Sequence, residues 1–154
     1  MKGEVFSLNI SRKKGTVKLP VPSASFKEDF GVEGDAHAGL LDKRQVSLLS
    51  WERIQEKNFC RKKTADRLRP GDFAENITTQ GLDLSSIKLG DLFQVGEVTL
   101  KVSQIGKECH RYCEIYKKVG DCIMPREGIF ARVLKGGKVR KGDAIELIPK
   151  GSIL

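Results

Sequence analysis

Three of the four cysteines lie close together beside a histidine. Cys109, Cys113 and Cys122 fall within fourteen residues with His110 next to the first of them, whereas Cys60 stands apart. The thiolate form of cysteine is both a nucleophile and a soft metal ligand. The group could therefore serve sulfur chemistry, metal binding or packing. The first residues lack the apolar stretch of an export signal, so we expect a cytoplasmic protein with reduced thiols.

Cys109 is the best placed of these thiols for chemistry. It follows the apolar run EVTLKVSQI and lies at the start of a predicted helix over residues 108–118. The helix dipole and the neighbouring basic side chains favour a thiolate there. A metal site that joins Cys109 to Cys113 and Cys122 is a second interpretation, although its C-x3-C spacing is wider than the usual zinc knuckle. Cys113 or Cys122 could instead act as a resolving thiol, or simply pack.

A glycine-rich stretch precedes the cysteines and predicts a loop of the kind that carries function. FGVEGDAHAG has three glycines in ten residues and neither a helical nor a strand period. Asp35 and His37 within it are candidate ligand-binding residues, and a turn stabilised by Asp35 with His37 at the surface is the alternative. Asn76 could bond a ligand or shape a strand end. Arg44 and Arg132 could bind phosphate, because guanidinium groups bind phosphate through paired hydrogen bonds.

The elements that must position these residues are mostly short strands. VFSLNI and TVKLPV predict a hairpin, RQVSLL predicts a strand, and Ser50 can cap a helix through Lys57. In GDFAENIT the side chains are predicted to alternate between the two faces of a strand. DLFQV and EVTLKVSQI are predicted to form a hairpin at Gly96. GIFARVLKGGKVRKGDAIELI predicts further strands, with a turn at its glycine pair. Strands at short intervals with little helix favour a barrel or barrel-like sandwich over an α/β sheet.

Composition bounds the classes of function. A chain of 154 residues with 39% hydrophobic content predicts one domain over residues 1–154. A membrane-spanning helix is not predicted, because the sequence has no run of about 18 apolar residues. The net charge of +8 attracts anions. Aromatic residues are not interleaved with the basic runs, so the sequence does not indicate stacking platforms for single-stranded nucleic acid. An anionic small molecule explains the charge as well as nucleic acid does, and nucleic acid is not the expected partner. Nucleotide-binding glycine motifs and a G-x-S-x-G elbow are both absent from the sequence.

The ordered set of motifs resembles a single-domain member of the MOSC family, which is related to the C-terminal domain of molybdenum cofactor sulfurase. The resemblance runs nearly end to end through GVEGDAHAG, RQVSLLS, PGDFAENITTQGLDLSSIKLGDLFQVGEVTLKVSQIGKEC and GIFARVLKGGKVRKGDAIEL. It implies a mainly β fold, a MOSC-like β-barrel with a few short helices. It also implies one key cysteine, which maps onto Cys109 in GKEC.

The resemblance further implies that the protein binds a molybdopterin-type cofactor, or carries sulfur on Cys109 for transfer to it, or ligates molybdenum through Cys109. Its activity would be sulfurtransferase-like or dependent on molybdenum cofactor. A pyridoxal phosphate domain is missing from the sequence, so pyridoxal phosphate is not expected. The expected partner is a separate sulfur donor protein, such as a cysteine desulfurase, or a molybdoenzyme. A non-enzymatic cofactor carrier and a nucleic-acid-binding β-barrel are the alternatives.

A closed barrel would bring distant strand ends to one rim. We therefore expect the loop from Gly31 to Gly39 and the segment around Asn76 to face Cys109 across one pocket.

Overall fold

The computed structural model describes residues 1–14, 16–39, 44–60, 68–106 and 124–149. In these ranges the chain forms a β-barrel with short helices, which confirms the predicted fold class. The strands are β1 (Lys2–Ile10), β2 (Leu19–Val21), β3 (Ser23–Lys27), β4 (Gly31–Val32), β5 (Val46–Ser50), β6 (Ile77–Gln80), β7 (Leu92–Val95), β8 (Val98–Ile105), β9 (Ile129–Lys135), β10 (Gly137–Arg140) and β11 (Ala144–Ile148). The helices are α1 (Trp51–Cys60), α2 (Met124–Glu127) and one 3₁₀ turn (Leu84–Ser86).

The barrel follows the order β1-β6-β5-β9-β8-β7-β11 and closes where β11 pairs with β1. Neighbouring strands are antiparallel except β5 and β6, which run parallel. β2 extends the sheet beyond β1, and β10, β3 and β4 form a separate small sheet. The described part of the chain has no helix of the length and apolar character needed to cross a membrane.

The barrel interior is filled by alternate side chains of its strands, as the period of two requires. Val5, Leu48, Phe93 and Leu100 belong to this core and are fully buried. A second apolar cluster lies outside the barrel wall and joins Leu49, Ile54, Leu68, Phe73, Met124 and Phe130. β5 is buried along its whole length because Leu48 faces the interior core while Leu49 faces this outer cluster.

Both predicted hairpins are present, and so is the helix predicted to follow Ser50. β1 pairs with β2, and β7 pairs with β8 through a turn in which Gly96 has φ +55°. The backbone N–H of Arg53 donates to Ser50 Oγ at 3.3 Å, so Ser50 caps α1 as expected. The helix ends at Cys60 rather than Lys57.

The alternation predicted for GDFAENIT is wrong. β6 begins only at Ile77, and the preceding residues form a turn in which Ala74 has φ +63°. Glu75 and Asn76 are both buried instead of pointing to opposite faces. The left-handed residue interrupts the extended backbone, and the side chain of Glu75 binds N–H groups of the turn.

The glycine pair near residue 136 also behaves differently from a simple hairpin turn. β10 leaves the barrel there and pairs with β3, a strand that the sequence pattern did not indicate. SASFK lacks apolar alternation because only Phe26 of β3 is buried.

The ends of the barrel strands define two rims, which we name by their residues. The upper rim is where β1 ends at Ile10 and where Gln45 and Asn76 lead into β5 and β6. The lower rim is where β5, β6 and β8 end, at Ser50, Gln80 and Ile105.

Candidate functional site

Three charged or ionisable side chains form a buried cluster at the upper rim, here called the Lys18 cluster (Lys18, Asp35 and His37). Lys18 Nζ lies 2.7 Å from Asp35 Oδ1 and 2.9 Å from His37 Nδ1. The side chains of Lys18 and Asp35 are 0% exposed, whereas that of His37 is 25% exposed. The cluster therefore has one member that can meet a ligand.

The carboxylate of Asp35 is stabilised from several directions. Burial alone would raise its pKa, but the contacts with His37, Lys18 and the Ser11 amide hold the pKa well below its usual range. The N–H of Ser11 donates to Oδ1 at 3.0 Å and that of His37 donates to Oδ2 at 3.1 Å. Asp35 is thus ionised whenever the protein is folded near neutral pH.

The geometry also determines which nitrogen of His37 carries hydrogen. Its Nδ1 is 3.7 Å from Asp35 Oδ2, too far for a hydrogen bond, but 2.9 Å from the ammonium of Lys18. An ammonium group has no lone pair, so Nδ1 must accept. The hydrogen of the neutral imidazole is then on Nε2, and His37 presents an N–H donor.

The glycine-rich loop that carries Asp35 and His37 is fixed at both flanks. On one side the N–H of Ala36 donates to the Ser11 carbonyl at 2.7 Å. On the other side the buried Gln45 donates from Nε2 to the Gly39 carbonyl at 3.2 Å. Gly31 has φ +124° and its missing side chain would lie 2.8 Å from the Gln45 carbonyl, so glycine is required there.

Arg132 lies on the Gln45 flank of this loop. Its guanidinium binds Asp29 Oδ1, which also accepts a hydrogen bond of 3.2 Å from Gln45 Nε2. The hydrogen bond from Arg132 is the main reason that the pKa of Asp29 is lowered. Arg132 is half-exposed, and Arg44 is exposed immediately before Gln45. Both predicted arginines thus reach solvent on this side of the loop.

Asn76 has a structural position at the upper rim. Its Oδ1 accepts from the backbone N–H of Ser47 at 3.0 Å and from Ser47 Oγ at 3.2 Å, and its Nδ2 donates to the Asn9 carbonyl at 3.2 Å. These bonds connect β6 to β5 and β1. Asn76 therefore shapes a strand end, and a contact between Asn76 and a ligand stays a prediction.

Glu75 and Lys18 are the main residues that sequence reasoning missed. Glu75 is fully buried, and burial raises its pKa to about 7 although N–H groups of Gly71 and Phe73 and the hydroxyl of Thr78 oppose the shift. Neither residue gives a local signal, because a single charged residue in a strand-like run is usually exposed. Their burial becomes evident only from the hydrogen bonds that they form in the folded structure.

The turn held by Glu75 packs directly on the Lys18 backbone. Lys18 N–H donates to the Gly71 carbonyl at 2.8 Å, and a side chain at Gly71 would clash with the Lys18 carbonyl oxygen. Two residues further on, Phe73 belongs to the outer apolar cluster that also contains Met124. The turn therefore contacts the Lys18 backbone on one side and, through Phe73, the apolar cluster that contains Met124 on the other.

The predicted thiol site lies in that stretch. Cys109, Cys113, Cys122 and the predicted helix over residues 108–118 are outside the described residues, so their contacts with the loop stay predictions. Within the described ranges, no group of three or more His, Cys, Asp or Glu side chains could hold a metal ion. The loop and Asn76 share the upper rim, whereas β8, the strand that precedes Cys109 in the chain, ends at Ile105 at the lower rim.

Known proteins resemble this chain over nearly all of its length. It is 29% identical over 150 residues to the uncharacterized protein YflK of Bacillus subtilis, covering 89% of this chain and 64% of that protein. It is 27% identical to a reductase of Gibberella moniliformis, covering 92% of this chain but 29% of that protein. The chain thus spans less than two thirds of either relative.

Solved structures share the fold of this chain, and a family profile assigns the family. The crystal structure of the YuaD protein from Bacillus subtilis superposes with a TM-score of 0.78 at 24% identity, covering 96% of both chains. That of YiiM from Escherichia coli gives 0.73 at 22% identity, covering 100% of this chain and 73% of the other. These share the fold. The profile of the MOSC domain matches residues 33–146, most of the chain. The chain therefore belongs to the MOSC domain family.

Proposed function

We propose that this protein binds a molybdopterin-type cofactor, carries sulfur on Cys109 for transfer to it, or does both. The MOSC family is associated with molybdenum cofactor sulfurase-like proteins. The observation that carries the proposal is the Lys18 cluster, a buried charged unit with one partly exposed member, His37. Two of its three residues, Asp35 and His37, lie within the range that the MOSC profile matches. A buried lysine and aspartate are costly to maintain, and a fixed ligand-binding donor would justify that cost.

The described residues suit the phosphate of such a cofactor. His37 offers an Nε2–H donor and Arg132 a half-exposed guanidinium, and both groups bind phosphate oxygens. Asp35 and Asn76 would act by holding the loop and rim, since their side chains bond within the protein. If bound, such a cofactor would supply molybdenum, and Cys109 is the residue whose thiolate would ligate it.

The sulfur step needs only a thiolate and a donor persulfide. The Cys109 thiolate attacks the outer sulfur of the donor, so that a new sulfur–sulfur bond forms on Cys109 and the donor thiolate leaves. Electrons balance without an external oxidant or reductant. The partner is then a sulfur donor of the cysteine desulfurase class, followed by a molybdoenzyme or its cofactor as acceptor.

Anaerobic sulfur loading tests the sulfur part of the proposal. The full chain is incubated with a cysteine desulfurase and cysteine, and its mass is measured before and after a thiol reductant. We expect one reducible sulfur atom, mapped to the peptide that contains Cys109 and absent from Cys109→Ser. The matched variant Cys60→Ser should load normally. Timed alkylation should likewise modify Cys109 first, and sulfur on Cys60 alone would refute the assignment.

Cofactor analysis separates the remaining alternatives. Molybdenum and oxidised pterin are measured on protein purified without oxygen. Retention of cofactor with no sulfur on Cys109 would support a non-enzymatic carrier.

A parallel titration tests the nucleic-acid alternative. Cofactor and a generic duplex are each titrated at two salt concentrations. Duplex binding that depends on Lys62 and Lys63, which lie outside the described residues, and not on Arg132 or Cys109, would support a nucleic-acid-binding barrel.

A further inference from the structure

A cavity opens at the lower rim, away from the Lys18 cluster. Its volume is about 660 Å³, within the range of small-molecule sites. Side chains from β5, α1, the 3₁₀ turn, β8, α2 and β9 line this lower-rim cavity. The described lining includes the apolar residues Leu49, Ile105 and Ile129 and the acidic residues Glu52, Asp83 and Glu127.

The walls of the cavity are branched aliphatic side chains. Leu49 and Ile129 form part of the buried apolar clusters, and Leu82, Leu84 and Ile87 continue the barrel core to the cavity surface. Ile105 is 45% exposed. A ligand with an apolar body that covers Ile105 would be stabilised because apolar surface is removed from water.

The charged groups of the lining are predominantly acidic. Glu52, Asp83 and Glu127 carry three negative charges, and Arg53 carries one positive charge. They are held in place: Arg53 binds Glu127, and Glu52 Oε2 accepts from the Gly81 N–H at 3.0 Å. The described residues of the lining therefore carry net negative charge, in a chain whose net charge is +8.

A buried polar atom without a described partner lies on β6, the strand beside β5. The Thr79 hydroxyl is buried and has no hydrogen-bond partner among the described residues. Thr79 is in register with Ser50 across the parallel β5–β6 pair, and Ser50 lines the cavity. Leaving a buried hydroxyl unpaired is unfavourable. Thr79 adjoins the lining through Ser50 but does not itself line the cavity.

We propose that the lower-rim cavity binds a small organic ammonium compound. Its apolar body packs on the aliphatic walls while its charged N–H groups bind the carboxylates of Glu52, Asp83 and Glu127. An anionic ligand such as a phosphorylated cofactor is repelled here. The lower-rim cavity is thus a second site, and its ligand has the opposite charge to the ligand proposed for the upper rim. This proposal does not depend on the function proposed for the upper rim.

Three probes of equal chain length test the sign of the charge: hexylammonium, hexanol and hexanoate. Each is titrated into the full chain labelled at its methyl groups, with binding followed by NMR shifts and calorimetry. We expect saturable binding of hexylammonium with shifts at Leu82, Leu84 and Ile87. Hexanoate should bind at least about tenfold more weakly, because the facing charges are incompletely screened. Equal affinity for hexanoate, or no saturable shift with hexylammonium, would overturn the proposal.

Paired variants test the location. Ser85 lines the cavity and its exposed neighbour Ser86 does not, so Ser85→Trp should obstruct the mouth and abolish binding while Ser86→Trp should leave it intact. Glu127 and Glu56 both bind Arg53, but only Glu127 belongs to the lining. Glu127→Gln should weaken hexylammonium binding about threefold and Glu56→Gln much less. Binding that is unchanged in Ser85→Trp would place the ligand elsewhere and refute the assignment.

Discussion

The upper rim encloses its charged groups, whereas the lower rim holds them at the edge of an apolar cavity. At the upper rim Lys18 and Asp35 have no exposed side-chain surface and bind each other. At the lower rim Arg53 is half-exposed and shares its contacts with two glutamates. The difference matters because a desolvated charge depends on each of its partners, while an exposed charge exchanges them for water. Substitutions should therefore have unequal effects at the two ends.

The largest effect is expected for Lys18→Met. The substitution removes the cation that neutralises Asp35 and leaves a buried carboxylate unpaired, which should lower the free energy of unfolding by about 3–5 kcal/mol. Denaturant titration measures this. The matched control is Lys27→Met, because Lys27 pairs with Glu33 at 3.0 Å with both side chains about half-exposed. That variant should lose about 0–1 kcal/mol.

A double substitution sharpens the result for Lys18. Lys18→Met combined with Asp35→Asn removes both charges and should recover part of the loss, since no unpaired ion is left. If the single variant loses less than the Lys27 control, the upper rim does not hold a dependent buried pair.

Glu75 should make stability depend on pH. Its pKa is raised from 4.5 to about 7, so the folded protein binds the proton more tightly than the unfolded chain. The free energy of unfolding should therefore fall as pH rises from about 4.5 to about 7, by up to about 3 kcal/mol. Denaturation across this window should show the slope in the native protein and not in Glu75→Gln. An equal slope in both proteins would assign it to another group.

Asp35 should contribute with the opposite sign and in a different window. Its pKa is lowered, so its stabilising contribution is present above its ordinary value of 3.8 and is lost only as pH falls below it. The contributions of Glu75 and Asp35 to the pH dependence of stability therefore fall in separate pH ranges and can be measured separately. Between pH 5 and 8, the free energy of unfolding of Asp35→Asn should therefore change with pH as steeply as that of the native protein.

Two adjacent threonines offer a smaller, internal comparison. Thr78 and Thr79 are both fully buried, but Thr78 Oγ1 donates to Glu75 at 2.7 Å and accepts from Asn9 at 3.0 Å. Thr78→Val should cost about 1–3 kcal/mol because Glu75 and Asn9 lose a partner. Thr79→Val should be neutral or stabilise by up to about 1 kcal/mol, since its hydroxyl has no partner among the described residues. Equal losses would show that Thr79 is satisfied.

The smallest effect on stability is expected for Arg132→Gln. Arg132 and Asp29 are both exposed, so their pair exchanges readily with water and the unfolding midpoint should not move measurably. Cofactor affinity should nevertheless fall by about 1.5–3 kcal/mol, the scale of a hydrogen bond to a charged group. A stability loss without an affinity loss would make Arg132 structural.

Sequence reasoning identified the strands well because alternation is a local signal. β1, β5, β7 and β8 lie where apolar periodicity predicted them. The loop containing Asp35 and His37 was also identified, although its first two residues, Gly31 and Val32, form the short strand β4. The predicted barrel follows from these short strands in sequence.

The buried charges could not be identified in the same way. Lys18 follows Val17 in an alternating run and its partner Asp35 is 17 residues away, so its burial depends on tertiary contacts. Glu75 was expected on a strand face, but Ala74 adopts a left-handed conformation that its residue type does not favour. The lower-rim cavity draws on residues of six elements, and no motif marks it.

The seam of the barrel has a mechanical consequence. β1 and β11 close the ring through three residue pairs from Lys2↔Glu146 to Glu4↔Ala144, and they run antiparallel. A pulling force on the start of β1 and the end of β11 would act at adjacent points and peel the pairs one after another, rather than shearing them together. The seam should yield at low force and convert the cylinder into an open sheet. Its two newly exposed edges would each offer unpaired backbone groups to a neighbouring chain.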